Sequence, residues 1–426
     1  MGRGFSPLDE ELALLPGALT PRLQEQLIRL GSWLPFARAA ALLTAFTGVS
    51  VTEATARRQT ERAGALYAAW QEAEVAHLEQ ELPPPPAGPR TQVLSVDGVM
   101  VPLLHGQWAE VKNLVIGEVA EPLWVDGEVV VKSQELSYFS RLCEAEPFAR
   151  LSLVETHRRG TETAQRVVAV TDGAEWEQGF LDFHRPDALR ILDFPHAAQR
   201  LPPIGEAVFG AGTPEAAAWV SQQRRRLKHE GPSGVLAELR TLAAADPQCE
   251  EWAEHRAYLE KREDQMQYPS YQAAGLPIGS GIVESGNKLV VEARLKGAGM
   301  HWERGHVDPM LALRNVVCND RWEEAWPQIA QSLCEHEAKR RGARQERGRG
   351  KARVPEEPRA TGREERSKEA VARGGERRPG GAEPSAGVVG GERTGPERPR
   401  REHPWRRYPI SWAEYHSRDL PADARL

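Results

Sequence analysis

Cysteine is scarce in this chain, and the four present, Cys143, Cys249, Cys318 and Cys334, lie far apart with no CxxC pair. That spacing argues against a disulfide framework and against a thiolate zinc site. No apolar stretch is long enough to span a bilayer, so no membrane role is expected. The opening residues, Met1-Gly2-Arg3-Gly4-Phe5, lack the apolar core of a signal peptide, and a cytoplasmic location is expected. An excess of basic charge is missing as well: the net charge is −6 and the pI about 6.1. This is not a uniformly basic nucleic-acid-binding protein. Local Lys/Arg patches suffice for phosphate contacts, however, so nucleic acid is not excluded as a partner.

What the sequence does have is room for about two or three domains in its 426 residues, 40 % of them apolar. Residues 1–82 read as a helical N-terminal domain, with apolar positions at helical spacing from about Asp9 to Gln80. Within it, Phe36–Leu43, a turn at Thr47-Gly48-Val49-Ser50 and Val51–Thr60 read as a helix-turn-helix, with Ser50 as the expected cap. Arg57, Arg58 and Arg62 fall on the outer side of the second helix, which suits the backbone of a DNA groove. An ordinary helical hairpin with surface arginines predicts the same pattern. Pro83-Pro84-Pro85-Pro86 opens a stiff linker over 83–90.

Beyond the linker the period becomes that of strands: Val93–Val96, Val99–Leu104 and Lys112–Val119, with Glu128–Lys132 as a further extension. A helix is expected over Leu136–Arg158, a strand over Arg166–Thr171, a helix over Glu175–Phe183 and a strand over Ala188–Leu192. Strands first, then alternating helix and strand, predict an α/β fold with a mixed sheet and helices on both faces over 91–335. A helical insertion is expected at about 212–270, before a last helix that starts near Ile282. From 336 to 426 the chain is rich in Arg, Glu, Gly and Pro, a composition that predicts a mostly disordered tail. Trp405–Tyr415 is a short aromatic patch inside it.

Three acids stand out against this plan. Asp97 follows the apolar run Val93–Val96, Asp172 follows Val167–Thr171, and each precedes a glycine. Glu284 comes just after Pro277-Ile278-Gly279-Ser280-Gly281-Ile282-Val283, where a helix should begin. Carboxylates at strand ends plus one on a helix can hold two divalent cations about 4 Å apart against a phosphodiester. Each has a plainer reading. Asp-Gly is the commonest hairpin dipeptide, and Glu284 is spaced to pair with Lys288 on a solvent-facing helix. Asp193 competes for the second position, since it too ends an apolar strand; Asp172 is preferred because its strand is longer. The glycine-rich approach to Glu284 favours a helix N-terminus close to phosphate.

Together with Thr171-Asp172-Gly173-Ala174-Glu175-Trp176, Ile191-Leu192-Asp193-Phe194-Pro195-His196-Ala197, Gly279–Ser285 and Arg294-Leu295-Lys296-Gly297-Ala298-Gly299-Met300-His301-Trp302, these residues resemble a DDE transposase of bacterial insertion sequences. The likeness is to the Kra-type group, related to the Mutator-like transposases, and it covers roughly residues 20 to 330. It implies a ribonuclease H-like core, with Asp97, Asp172 and Glu284 as ligands of Mg²⁺ (Mn²⁺ substituting). Asp193-Phe194-Pro195-His196 matches that group's C/D-x-x-H signature, which implies that His196 helps orient the scissile phosphate. The implied partners are the terminal inverted repeats and target DNA, handled by a homo-oligomer in the bacterial nucleoid. Arg294 and Lys296 are then expected on the DNA backbone and Trp302 stacked on an unpaired base, with a core tryptophan as the plainer reading. The competing readings are a catalytically inactive, transposase-derived DNA-binding protein and another nuclease on the same fold.

Overall fold

A computed structural model describes residues 19–125, 128–245 and 252–351. Three helices open it: α1 (Pro21–Trp33), α2 (Phe36–Thr47) and α3 (Glu53–Glu81). Gly48, at φ 72°, ends α2 in the left-handed region. Thr52, and not the expected Ser50, caps α3 by accepting the N–H of Thr55 at 3.2 Å. After the proline-rich segment come strands β1 (Thr91–Pro102), β2 (Trp108–Val119) and β3 (Ser133–Arg141). Two short helices follow, α4 (Ala145–Leu151) and α5 (Leu153–Arg158), then β4 (Arg166–Thr171), α6 (Glu175–His184) and β5 (Leu189–Leu192). These strands form one five-stranded sheet in the order β3-β2-β1-β4-β5. The β1–β2 and β2–β3 pairs are antiparallel; β1–β4 and β4–β5 are parallel.

Three sequence expectations change here. Asp97-Gly98 does not end a strand: β1 runs through it, with Asp97 opposite Asn113 and Gly98 opposite Lys112. The segment from Leu136 expected to be helical begins as β3, because Ser137–Arg141 is buried and hydrogen-bonded along β2. Its Tyr138-Phe139 pair suits a pleated surface better than a helix. Glu128–Val130 pairs with Leu123–Val125 in a separate hairpin and does not join the main sheet.

Side-chain alternation splits the sheet into two buried faces. Leu94, Val96, Val167 and Ala169 pack with Phe139, Phe148, Phe180 and Leu181, under α4 and α6. The opposite face has two patches. Val93, Val168, Val170 and Ile191 meet α7 (Phe194–Gln199), α8 (Leu201–Phe209) and the helical insertion. That insertion comprises α9 (Pro214–His229), α10 (Pro232–Ala245), α11 (Ala253–Lys261) and α12 (Tyr268–Ala273). Val99, Val101, Val111 and Val115 instead meet α13, a continuous run of Gly281–Gly286, a π-helical turn Asn287–Glu292 and Ala293–Leu295. They also meet α14 (Arg304–Cys318), and Leu27, Phe36, Ala40 and Leu43 of α1 and α2 complete the same patch. The helices before the proline-rich segment therefore share their core with the sheet and belong to the same unit.

The last described helix, α15 (Trp322–Lys351), packs on α1 and α3 through Trp322, Ile329 and Leu333. It extends well past residue 336, so the expected tail begins as helix; its remainder, with Trp405–Tyr415, lies outside the described residues. No helix among the described residues is long and apolar enough to cross a membrane.

Candidate metal centre

The sheet brings Asp97 and Asp172 together by register. Leu94 of β1 lies opposite Ala169 of β4 in parallel pairing, so three residues further on Asp97 and Asp172 are level. Both continue the alternation of Val93, Val168 and Val170, the face towards α7 and α13. Carboxylate oxygens of Asp97, Asp172 and Glu177 lie within 4.8 Å of one another. The first two belonged to the expected triad. Glu177 did not, and Glu284 is not in the cluster.

Each acid is held by a different device. Asp97 accepts the N–H of Gly98 at 2.7 Å on Oδ1 and the amide of Asn287 at 2.7 Å on Oδ2. Asn287 is itself fixed from behind: its Oδ1 accepts from Asn113 at 2.9 Å, whose Oδ1 accepts the Ser140 hydroxyl at 2.7 Å. A chain from β3 through β2 and α13 thus aims the Asp97 carboxylate. Gly286 allows it, since a Cβ there would lie 2.6 Å from Val115 Cγ2 and hold α13 off the sheet. Burial first, and then the negative charge of Asp172, raises the Asp97 pKa against the lowering effect of those hydrogen bonds.

Asp172 accepts the N–H of Ala174 at 2.8 Å, which closes the turn between β4 and α6. Glu177, three residues beyond Ala174, reaches back over that turn. Its Oε2 accepts the N–H of Gly173 at 3.0 Å and of Ala174 at 3.1 Å. This is what an acid at the third helical position does to the orphan donors of a helix start. Burial pushes the Glu177 carboxyl up to about 10, helped by the charge of Asp172, a hydrogen bond to it, and the charge of Asp97. The sequence signal for Glu177 was its place three residues after the strand-end turn, in Asp172-Gly173-Ala174-Glu175-Trp176-Glu177.

His196 stands beside the cluster. Its Nδ1 pairs with Asp193 Oδ2 at 2.6 Å, and this bond raises its pKa against burial, with the charges of Asp193, Asp172 and Asp97 adding. Asp193 is wholly buried and has another occupation. It caps α7 through the His196 N–H at 3.1 Å and ties the chain before α13 through the Ser280 N–H at 2.6 Å. Burial works against its ionisation, but those hydrogen bonds prevail and its pKa is lowered. That employment removes Asp193 as a rival for the position of Asp172.

Glu284 lies on α13, three residues before Asn287. It is exposed, and its carboxylate makes neither a hydrogen bond nor an ion pair among the described residues, including the one expected with Lys288.

The expected DNA contacts divide. Arg57 and Arg58 are exposed near the start of α3, whereas Arg62 pairs with Glu337 at 3.3 Å and meets His336 Nδ1 at 2.8 Å on α15. Lys296 is ion-paired with Glu292 at 2.7 Å. Arg294 and Trp302 correct the expectation: both are core residues, 1 % and 7 % exposed. The Arg294 guanidinium lies 4.5 Å from the Phe36 ring and 5.2 Å from the Trp302 ring, and donates to the Gly31 carbonyl at 3.1 Å. The Trp302 indole donates to the Leu295 carbonyl at 3.0 Å. The packing of α13 against α1 and α2 covers them, which a local reading of Arg294–Trp302 does not reveal.

The three clustered acids offer oxygen ligands alone, the set preferred by a hard divalent cation. No protein-family model matches the chain, and no curated protein is significantly similar to it.

Proposed function

We propose that the protein is a metal-dependent enzyme that cleaves and transfers DNA strands, a DDE transposase with a ribonuclease H-like core. One observation carries the reading: Asp97 and Asp172, on adjacent parallel-paired strands, stand level in an all-oxygen cluster with Glu177. The mixed sheet with helices on both faces and a helical insertion before α13 supports it.

Asp97, Asp172 and Glu177 are the residues that would hold Mg²⁺, with Mn²⁺ as a substitute. When bound, such an ion lowers the pKa of water and neutralises charge developing on a phosphodiester. The chain's own groups do the rest. The Asn287 amide and the backbone N–H groups of Gly98 and Ala174 fix two of the carboxylates. His196, with Nδ1 held by Asp193, whose bond raises its pKa, can donate from the other ring nitrogen to a phosphate oxygen when protonated. Glu284, unpaired on the same helix as Asn287, is the acid left for a second cation brought in with the DNA.

The partners are DNA ends, the terminal inverted repeats of the element, and target DNA, with exposed Arg57 and Arg58 on the phosphates. Two ends handled together call for a homo-oligomer, and light scattering on paired-end DNA that finds only monomer refutes that part.

The test is cleavage of a duplex carrying the DNA that flanks this gene, with Mg²⁺ or Mn²⁺, beside Asp97→Asn and Asp172→Asn. Metal-dependent nicking at a discrete end, lost in both variants, is expected. Sequence-specific binding by the wild type without cutting refutes the enzyme and leaves a DNA-binding protein.

A further inference from the structure

We propose that the helical insertion sets the position of the Asp172 carboxylate through Tyr258 and Arg262, which act as positioning residues of the metal centre. The inference rests on the metal-binding reading above. Tyr258 lies on α11 and Arg262 caps its end. The Tyr258 hydroxyl donates to the backbone carbonyl of Asp172, across a separation of 86 residues. Arg262 donates to the next carbonyl, that of Gly173, through Nε at 3.2 Å and through Nη2. Two consecutive carbonyls of the ligand-bearing turn are therefore gripped by one helix end of the insertion.

The turn is built to receive that grip. Gly173 sits at φ +83°, and a Cβ on it would lie 2.4 Å from Arg262 Nε. Any other residue would meet both backbone strain and the guanidinium. Arg262 completes its bonding with Nη1 on the Tyr258 carbonyl at 3.1 Å and forms no ion pair among the described residues. A guanidinium that directs its donors to main-chain carbonyls fixes geometry and does not serve to neutralise a partner's charge.

The grip also extends to His196. The Arg200 and Arg262 guanidinium carbons lie 4.0 Å and 3.9 Å from the centroid of the Tyr258 ring, within cation–π range. Arg200 follows His196 by four residues, at the end of α7. Tyr258 thereby joins the Asp172 turn to the helix that carries the proposed phosphate donor. Groups that orient a ligand from behind commonly change metal affinity when removed, without touching the ion.

The experiment measures Mn²⁺ affinity of the full chain by paramagnetic resonance of free Mn²⁺, together with metal-free melting. The proteins are wild type, Tyr258→Phe, Arg262→Gln and Tyr271→Phe. Tyr271→Phe is the control, because its hydroxyl donates to the Asp264 carbonyl at 2.8 Å in the same insertion and not to the Asp172-Gly173 turn. Tyr258→Phe should weaken Mn²⁺ binding about three- to tenfold and Arg262→Gln about tenfold or more. Tyr271→Phe should lower the melting temperature by a similar amount and leave affinity within about twofold. Wild-type affinity in both Tyr258→Phe and Arg262→Gln, or equal weakening by Tyr271→Phe, overturns the inference. If the wild type fails to bind Mn²⁺, or Asp172→Asn binds it equally well, the metal-site reading fails and this inference falls with it.

Discussion

Replacing Glu177 by glutamine separates its two occupations, helix cap and metal ligand. The amide keeps one acceptor oxygen for the Gly173 and Ala174 N–H groups, now bonded at 3.0 Å and 3.1 Å, so the start of α6 stays satisfied. Without metal, Glu177→Gln should therefore lie within about 1 kcal/mol of the wild type, or above it because one acid leaves a crowded cluster. Glu177→Ala strands the Gly173 N–H, while the Ala174 N–H keeps Asp172 at 2.8 Å, and should cost about 1–3 kcal/mol. With Mn²⁺ at about a hundred times its Kd, the wild type should gain about 2.7 kcal/mol in urea unfolding. A hundredfold loss of affinity in Glu177→Gln would leave a gain of only about 0.4 kcal/mol. Glu284→Gln should keep the full gain, since Glu284 lies outside the cluster, while losing strand cleavage. The reasoning is refuted if Glu177→Gln keeps the metal-induced gain and Glu284→Gln loses it. Glu177 would then be a helix cap alone.

Two other perturbations test the structure away from the metal. His184 is half-buried against Phe180 and the Ala149 carbonyl, and desolvation lowers its pKa from 6.5 to about 4. Below pH 6.5 the unfolded chain takes up a proton that the folded chain refuses until about pH 4, so stability should fall by about 3 kcal/mol across that window. Urea midpoints should show a flatter pH dependence in His184→Gln, and equal slopes would refute the assignment. Arg294→Met should leave stability within about 2 kcal/mol, because an apolar chain of similar volume replaces a buried charge that has no ion pair among the described residues. It should also leave the salt dependence of DNA binding unchanged. Alanine at both Arg57 and Arg58 should lower the slope by about 2 if α3 lies on phosphates, and a lowered slope with Arg294→Met would put that residue back on the DNA.

The elements were most legible where the hydrophobic period was clean. The strands at Val93–Val96, Lys112–Val119 and Arg166–Thr171 and the helical insertion could be read from local pattern alone. The expectation failed for Ser133–Arg141, because its edge pairing with β2 is a tertiary fact and its residues tolerate a helix locally. The proline-rich segment misled in another way. Stiff composition marks where regular structure stops, but whether the helices before it form their own core depends on what their apolar faces meet. Here Leu27, Phe36 and Leu43 meet Val99, Val111 and Met310.

The site shows the same division. Asp97 and Asp172 could be picked out because each follows an apolar strand, yet their convergence depends on a register in which Leu94 meets Ala169, and no local signal carries that. Asp97 does not end its strand, since β1 passes straight through it. What makes it available is that pairing with β4 ends at Leu94 while pairing with β2 continues to Pro102, so the carboxylate emerges where the parallel half of the sheet stops. Glu177 is hard to single out in the sequence for a related reason. An acid three residues into a helix has a sufficient explanation in its own backbone, and only the neighbouring strand adds a second role. Arg294 fails in the opposite direction: a basic residue close after an acid on a helix suggested DNA, but the turn after α13 folds Trp302 back over it and seals it under Phe36. A carboxylate in this chain is thus identified by where its strand loses a partner, and a cation by whether the next loop covers it.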